Sequence, residues 1–147
     1  MERYSSVAKQ SAAWKDFERW IAKQSGGKRR GAHTGEGFKG SGLSDVILEG
    51  FSLECKKLRN PLPGDMTKAL AQAEEAKESP NDIAIAFIAR NGSPYRDAMS
   101  LMRWSEFFEM VDAMPERYII SGKDEVCIYM RAGDMCELIA ELSKSTE

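Results

Sequence analysis

Residues 44 to 57 read Ser44-Asp45-Val46-Ile47-Leu48-Glu49-Gly50-Phe51-Ser52-Leu53-Glu54-Cys55-Lys56-Lys57. Two apolar runs, Val46 to Leu48 and Phe51 onward, flank Glu49-Gly50, and a two-residue connection containing glycine predicts a tight β-hairpin. Side chains alternate along a strand, so Phe51, Leu53 and Cys55 share one face while Ser52, Glu54 and Lys56 share the other. The hairpin folds Asp45 back beside Glu54. One polar patch then carries two carboxylates and an ammonium.

Such a patch has the groups needed to hold a divalent cation and to orient a water against a phosphodiester. The competing reading is the solvated face of an amphipathic strand. Glu75-Ala76-Lys77 repeats the same acidic-x-lysine spacing and acts as an internal control. Met66, Ala69, Leu70, Ala73 and Ala76 recur there at helical spacing, and positions two apart on a helix diverge by roughly 200°. Glu75 and Lys77 therefore cannot converge as Glu54 and Lys56 can.

Upstream, Trp14, Phe17, Trp20 and Ile21 form one helical stripe over residues 11 to 24, with Ser11 as a candidate cap and Glu18 at the edge of the stripe. Gly26 to Gly42 holds seven of the twelve glycines together with Lys28, Arg29, Arg30, His33, Thr34 and Lys39. That composition predicts a mobile loop whose backbone can approach a ligand closely. From Lys23 to Arg59 there are eight basic residues against four acidic ones, although the whole chain carries a formal charge of -2. Phosphate is the natural ligand for this basic segment, with Lys57 and Arg59 continuing it beyond the hairpin.

Downstream, Arg59 to Gly64 reads as a loop, Asp65 as the cap of a helix to about Lys77, and Ile83 to Ala89 as a strand buried on both faces. Asn91-Gly92-Ser93-Pro94 is a turn, Ala98 to Arg103 a further strand, and Ser105 the cap of a helix carrying Phe107, Phe108 and Val111. The tail offers a strand at Val126 to Met130 and a helix from about Asp134 to Leu142. Together these elements predict an α/β domain with a mixed central sheet flanked by helices. At 147 residues a single domain is expected.

Cys55, Cys127 and Cys136 are odd in number and widely spaced, which predicts reduced thiols in apolar positions rather than a disulfide framework or zinc ribbon. His33 is the only histidine, which disfavours the histidine-and-metal nuclease motifs and the zinc deaminases, since these need histidine in specific local patterns. No apolar run is long enough for a membrane span and no signal core follows Met1, so a soluble, cytoplasmic protein with no membrane partner is expected.

In order and spacing, Phe17-Glu18-Arg19-Trp20, the basic glycine-rich loop, Ser44-Asp45-Val46, Leu53-Glu54-Cys55-Lys56 and Ala69-Leu70-Ala71-Gln72-Ala73 resemble the PD-(D/E)xK nuclease superfamily. Within it, the likeness is to the Holliday junction resolvases of archaea and bacteriophages, and it covers about residues 10 to 112. Residues 115 to 147 match nothing in that pattern, and Ser44 stands where a proline often precedes the acidic residue. The resemblance implies a restriction-endonuclease-like fold, with Asp45, Glu54 and the backbone carbonyl of Cys55 as ligands of magnesium, or manganese in its place. Glu18 would complete the acidic cluster directly or through water, Lys56 would orient the attacking water, and Gln72 would help position Lys56 or the phosphate. It further implies a homodimer acting on branched DNA, in a host cytoplasm if phage-encoded. Lys28, Arg29, Arg30, His33, Thr34, Lys39, Lys57 and Arg59 are its expected phosphate contacts. A restriction-like or flap-cutting nuclease, or a non-catalytic DNA-binding module of the same fold, is the alternative.

Overall fold

A computed structural model describes residues 15–30, 44–111 and 127–145. Ser11, Trp14, His33, Thr34 and Lys39 lie outside the described residues. Helix α1 covers residues 15–25, followed by strands β1 (Lys28–Arg29), β2 (Val46–Leu48) and β3 (Phe51–Leu58). Helix α2 (Pro63–Glu75) leads to β4 (Ile83–Arg90), a 3-10 turn at Tyr95–Asp97, β5 (Met99–Arg103) and α3 (Trp104–Val111). Strand β6 (Cys127–Arg131) and helix α4 (Ala132–Ser145) complete it.

The six strands form one sheet in the order β1-β2-β3-β4-β5-β6, so every strand lies beside its neighbours in sequence. Only β3 and β4 run parallel, and α2 supplies the crossover that a parallel pair requires. The predicted hairpin is present, with Gly50 at φ 86° in its turn and Val46 paired with Leu53. A two-residue turn leaves only one register, and that register carries Asp45 to Glu54.

Alternation along the strands sorts the core into two faces. Phe17 and Ile21 of α1, Phe107 and Met110 of α3, and Met135, Leu138 and Ile139 of α4 pack with Leu53, Cys55, Ile85 and Phe87. On the other face Ala69, Leu70 and Ala73 of α2 lie against Ala84, Ala86, Ile88 and Leu101. The small side chains of Ala84 and Ala86 let α2 approach the sheet closely. Ser52 ties the two together, its buried hydroxyl donating to the Ala73 carbonyl at 2.6 Å. Cys55, Cys127 and Cys136 are all buried and none is in a disulfide.

Several element boundaries differ from those expected. The loop expected from Gly26 begins instead with strand β1, pairing Arg29 with Val46. Helix α2 starts at Pro63 rather than after Asp65, because a proline in the first turn has no N–H to satisfy; Asp65 acts from inside, accepting the Leu62 N–H at 2.9 Å. Helix α3 likewise begins at Trp104, before Ser105, and α4 at Ala132, before Asp134. Of the residues outside the family resemblance, those described join the sheet and the core: β6 pairs with β5, and α4 contributes Met135, Cys136, Leu138 and Ile139 to the main cluster.

Candidate active site

The site forms where β2 stops and β3 runs on. Register pairs between them end at Val46 and Leu53. Beyond that point the Cys55 N–H donates to Asp45 Oδ2 at 2.8 Å, so a carboxylate replaces the backbone partner that β2 would have supplied. A residue's N–H and C=O in a strand point to the same neighbour, which directs the Cys55 carbonyl to Asp45's side as well. Glu54 is 8 % exposed, and the Asp45 charge acts directly on its carboxyl.

Helix α1 brings in the third carboxylate. Glu18, one residue beyond the fully buried Phe17, is itself only 5 % exposed. The chain then turns sharply: Gly26 (φ 90°) and Gly27 both donate to the Ala22 carbonyl, closing the helix. Gly27 lies so close to β2 that a Cβ there would come within 2.8 Å of the Ile47 carbonyl oxygen. Only glycine permits that approach, and it sets β1 so that Arg29 Nε donates to Glu18 Oε1 at 2.9 Å.

Three carboxyls held this closely repel one another. Burial, followed by the Asp45 charge, raises Glu54 to about 8, with Lys56 opposing and Glu18 adding to the rise. Burial and Asp45 raise Glu18 to about 7 against the pull of Arg29. Asp45 is also raised by burial, despite its hydrogen bond from Cys55. The cluster is thus short of positive charge, and a cation would be the most favourable addition to it. Among the described residues no group of three or more His, Cys, Asp or Glu side chains could by itself hold a metal ion. Magnesium does not need one, since it commonly takes one or two carboxylates and fills its octahedron with water and substrate oxygens.

Lys56 stands on the same face as Glu54, its Nζ 3.9 Å from Glu54 Oε2 and its side chain 31 % exposed. At that distance it attracts the carboxylate without being tied to it, and its N–H donors can reach water or an oxyanion. The control behaves as predicted: Glu75 is exposed while Lys77 turns away to pair with Glu106 at 2.7 Å. Gln72 is exposed on α2 and its side chain makes no hydrogen bond among the described residues.

The expected phosphate contacts fall into distinct environments. Lys28 and Arg59 are exposed. Arg29 is held by Glu18, and Arg30 Nε donates to the Ser44 carbonyl at 2.8 Å. Lys57, on the opposite face from Lys56, donates to the Tyr95 hydroxyl at 3.1 Å, which in turn donates to Asp16 Oδ2 at 3.3 Å. Sequence reasoning missed the roles of Ser44, Ser52 and Tyr95. Ser44 is buried, with its hydroxyl on the Val46 carbonyl. For the two serines, a small polar residue in or beside a strand was the available signal, and it identifies no partner by itself.

No protein-family model matches this chain. Neither a curated protein nor a solved structure does. Among the described residues no helix is long and apolar enough to cross a membrane.

Proposed function

We propose that this chain is a divalent-metal-dependent endonuclease that cuts branched DNA, with the four-way junction as its substrate and a homodimer as its working form. The observation that carries the reading is the convergence of Asp45, Glu54 and Lys56 across one hairpin, with Glu18 brought to them by α1. The mixed sheet flanked by helices is compatible with a restriction-endonuclease-like fold. Asp45, Glu54 and the Cys55 carbonyl would hold magnesium or manganese, with Glu18 acting through water. The metal would polarise the phosphate and lower the pKa of a bound water.

The chain's own groups have separate tasks. Lys56 donates a hydrogen bond to the attacking water and steadies charge gathering on the phosphate oxygens. Ser52 fixes the strand under both groups by anchoring β3 to α2. Lys28 and Arg59, exposed on either side of the hairpin in sequence, contact phosphates without reading bases. A purely binding role fits poorly, because burying three carboxyls together is costly and gives a phosphate binder nothing: each one that ionises would repel a phosphate by about 4 kcal/mol at 4 Å in an effective dielectric near 20.

One compact domain presents one such cluster, and opposed nicks at a four-way junction require two. A two-fold dimer is the simplest closed assembly that supplies them. The test is a panel of four-way, flap and linear DNA of equal length incubated with the protein and magnesium. Paired opposing nicks in the junction, with linear duplex a poor competitor, are expected. Equal competition by linear duplex overturns the junction assignment, and no cleavage of any substrate overturns the nuclease.

A further inference from the structure

Arg29 is not placed as a surface cation would be. Its strand is two residues long, yet both residues pair with β2, and Arg30 N–H donates to the Asp45 carbonyl at 2.9 Å. Arg29 is thereby fixed one residue from the backbone that carries Asp45. Its side chain is 20 % exposed and its Nε lies 2.9 Å from Glu18 Oε1, whose own side chain is only 6 % exposed. Gly27 secures this placement, since any larger residue would push β1 off β2. A guanidinium so held is a built part of the acidic cluster.

We propose that Arg29 is the resident counter-ion of Glu18 and competes with the divalent cation, which releases it from Glu18 on binding. The inference rests on the metal-site reading above and extends it from the ligands to a positioning residue. Coulomb's law supplies the reason. A doubly charged ion at Asp45 and Glu54 repels the guanidinium and attracts Glu18, so both charges that hold the pair together are drawn in other directions. The coupling is reciprocal: whatever the cation does to the pair, removing the pair's cation does to metal binding. Release also leaves the guanidinium's planar fork of donors available to phosphate oxygens at the moment the metal is in place.

The experiment is manganese binding to the DNA-free protein, followed by water proton relaxation and calorimetry, for wild type, Arg29→Gln and Arg29→Lys. Arg29→Gln removes the competing charge and is expected to bind manganese on the order of tenfold more tightly, while Arg29→Lys stays near wild type. Unchanged or weaker binding by Arg29→Gln overturns the proposal, the weaker result marking Arg29 as a support that merely orients Glu18. Wild type binding no manganese at all overturns the metal site itself, and so separates that failure from this one. A second readout uses wild type alone and does not depend on a variant folding. The Arg29 Nε–H resonance, assigned by correlating the side chain with the assigned backbone of the labelled wild type, should leave its hydrogen-bonded position as magnesium is titrated. A resonance that stays in place at saturating magnesium overturns displacement.

Discussion

Burial of the carboxylate cluster, reinforced by charge repulsion within it, predicts that the metal-free protein loses stability as pH rises, and that Glu54→Gln abolishes most of this loss. Glu54 titrates near 8 in the folded chain against 4.5 for an ordinary glutamate. The native state therefore binds this proton more tightly than the unfolded state does. Below 4.5 both states hold it and the group is neutral to stability; stability then falls as pH rises from 4.5 and the full cost is reached above about 8. Each pH unit within that window costs at most about 1.4 kcal/mol, so moving from pH 6 to pH 8.5 costs at most about 3 kcal/mol. Local relaxation reduces this, and about 1 to 3 kcal/mol corresponds to a fall of roughly 3 to 10 °C in Tm for a domain of this size. The assay is thermal melting in a chelator across that pH range, for wild type and Glu54→Gln. Wild type should melt lower at pH 8.5, Glu54→Gln should vary less and exceed wild type there, and magnesium should remove most of the wild-type loss. A wild-type Tm that is flat or rises with pH refutes the reasoning, as does an unaltered slope in the glutamine variant.

Alanine at Asp45, Glu54 or Lys56 should abolish cleavage while gel-shift binding in calcium persists, whereas Glu75→Ala should leave cleavage rates unchanged. Gly27→Ala should cost about 1 to 3 kcal/mol in denaturant melts, because its Cβ meets the Ile47 carbonyl oxygen and Val46 Cγ1, both at 2.8 Å. Ser52→Ala should cost about 1 to 2 kcal/mol, losing a buried 2.6 Å bond that joins α2 to β3. Replacing Lys28 by Ala should lower the slope of log binding against log salt by about 0.9, the value for one phosphate contact, and Arg30→Ala should lower it by less because its Nε is engaged with Ser44.

The hairpin was legible because two local signals agreed: alternation along Phe51 to Lys56 and a glycine in a two-residue turn. Register then followed by counting, and with it the meeting of Asp45 and Glu54. The buried strand at β4 was equally plain, since six consecutive residues from Ala84 to Ala89 are buried and read as an unbroken apolar run. Strand β1 could not be seen, as two residues carry no periodicity. Its pairing depends on Gly27 meeting β2, a contact between segments some twenty residues apart. The Arg29–Glu18 pair was hidden for the same reason, and composition alone made Arg29 look like one more loop cation. The tail shows the opposite case: β6 and α4 were expected as elements, but nothing local says that a strand will join β5 and a helix will close the main core. Proline at the start of α2 was a signal present in the sequence and read as loop.

The central claim is that Asp45, Glu54 and Lys56 form a metal-dependent cleavage site, and a supercoiled plasmid bearing a cruciform tests it most directly. Wild type with magnesium should linearise the plasmid by paired nicks at the junction, a chelator should stop it, and Glu54→Gln, which keeps the side chain's shape, should leave the plasmid supercoiled while still binding the junction. Linearisation by Glu54→Gln at the wild-type rate, or by wild type in the chelator, contradicts the account.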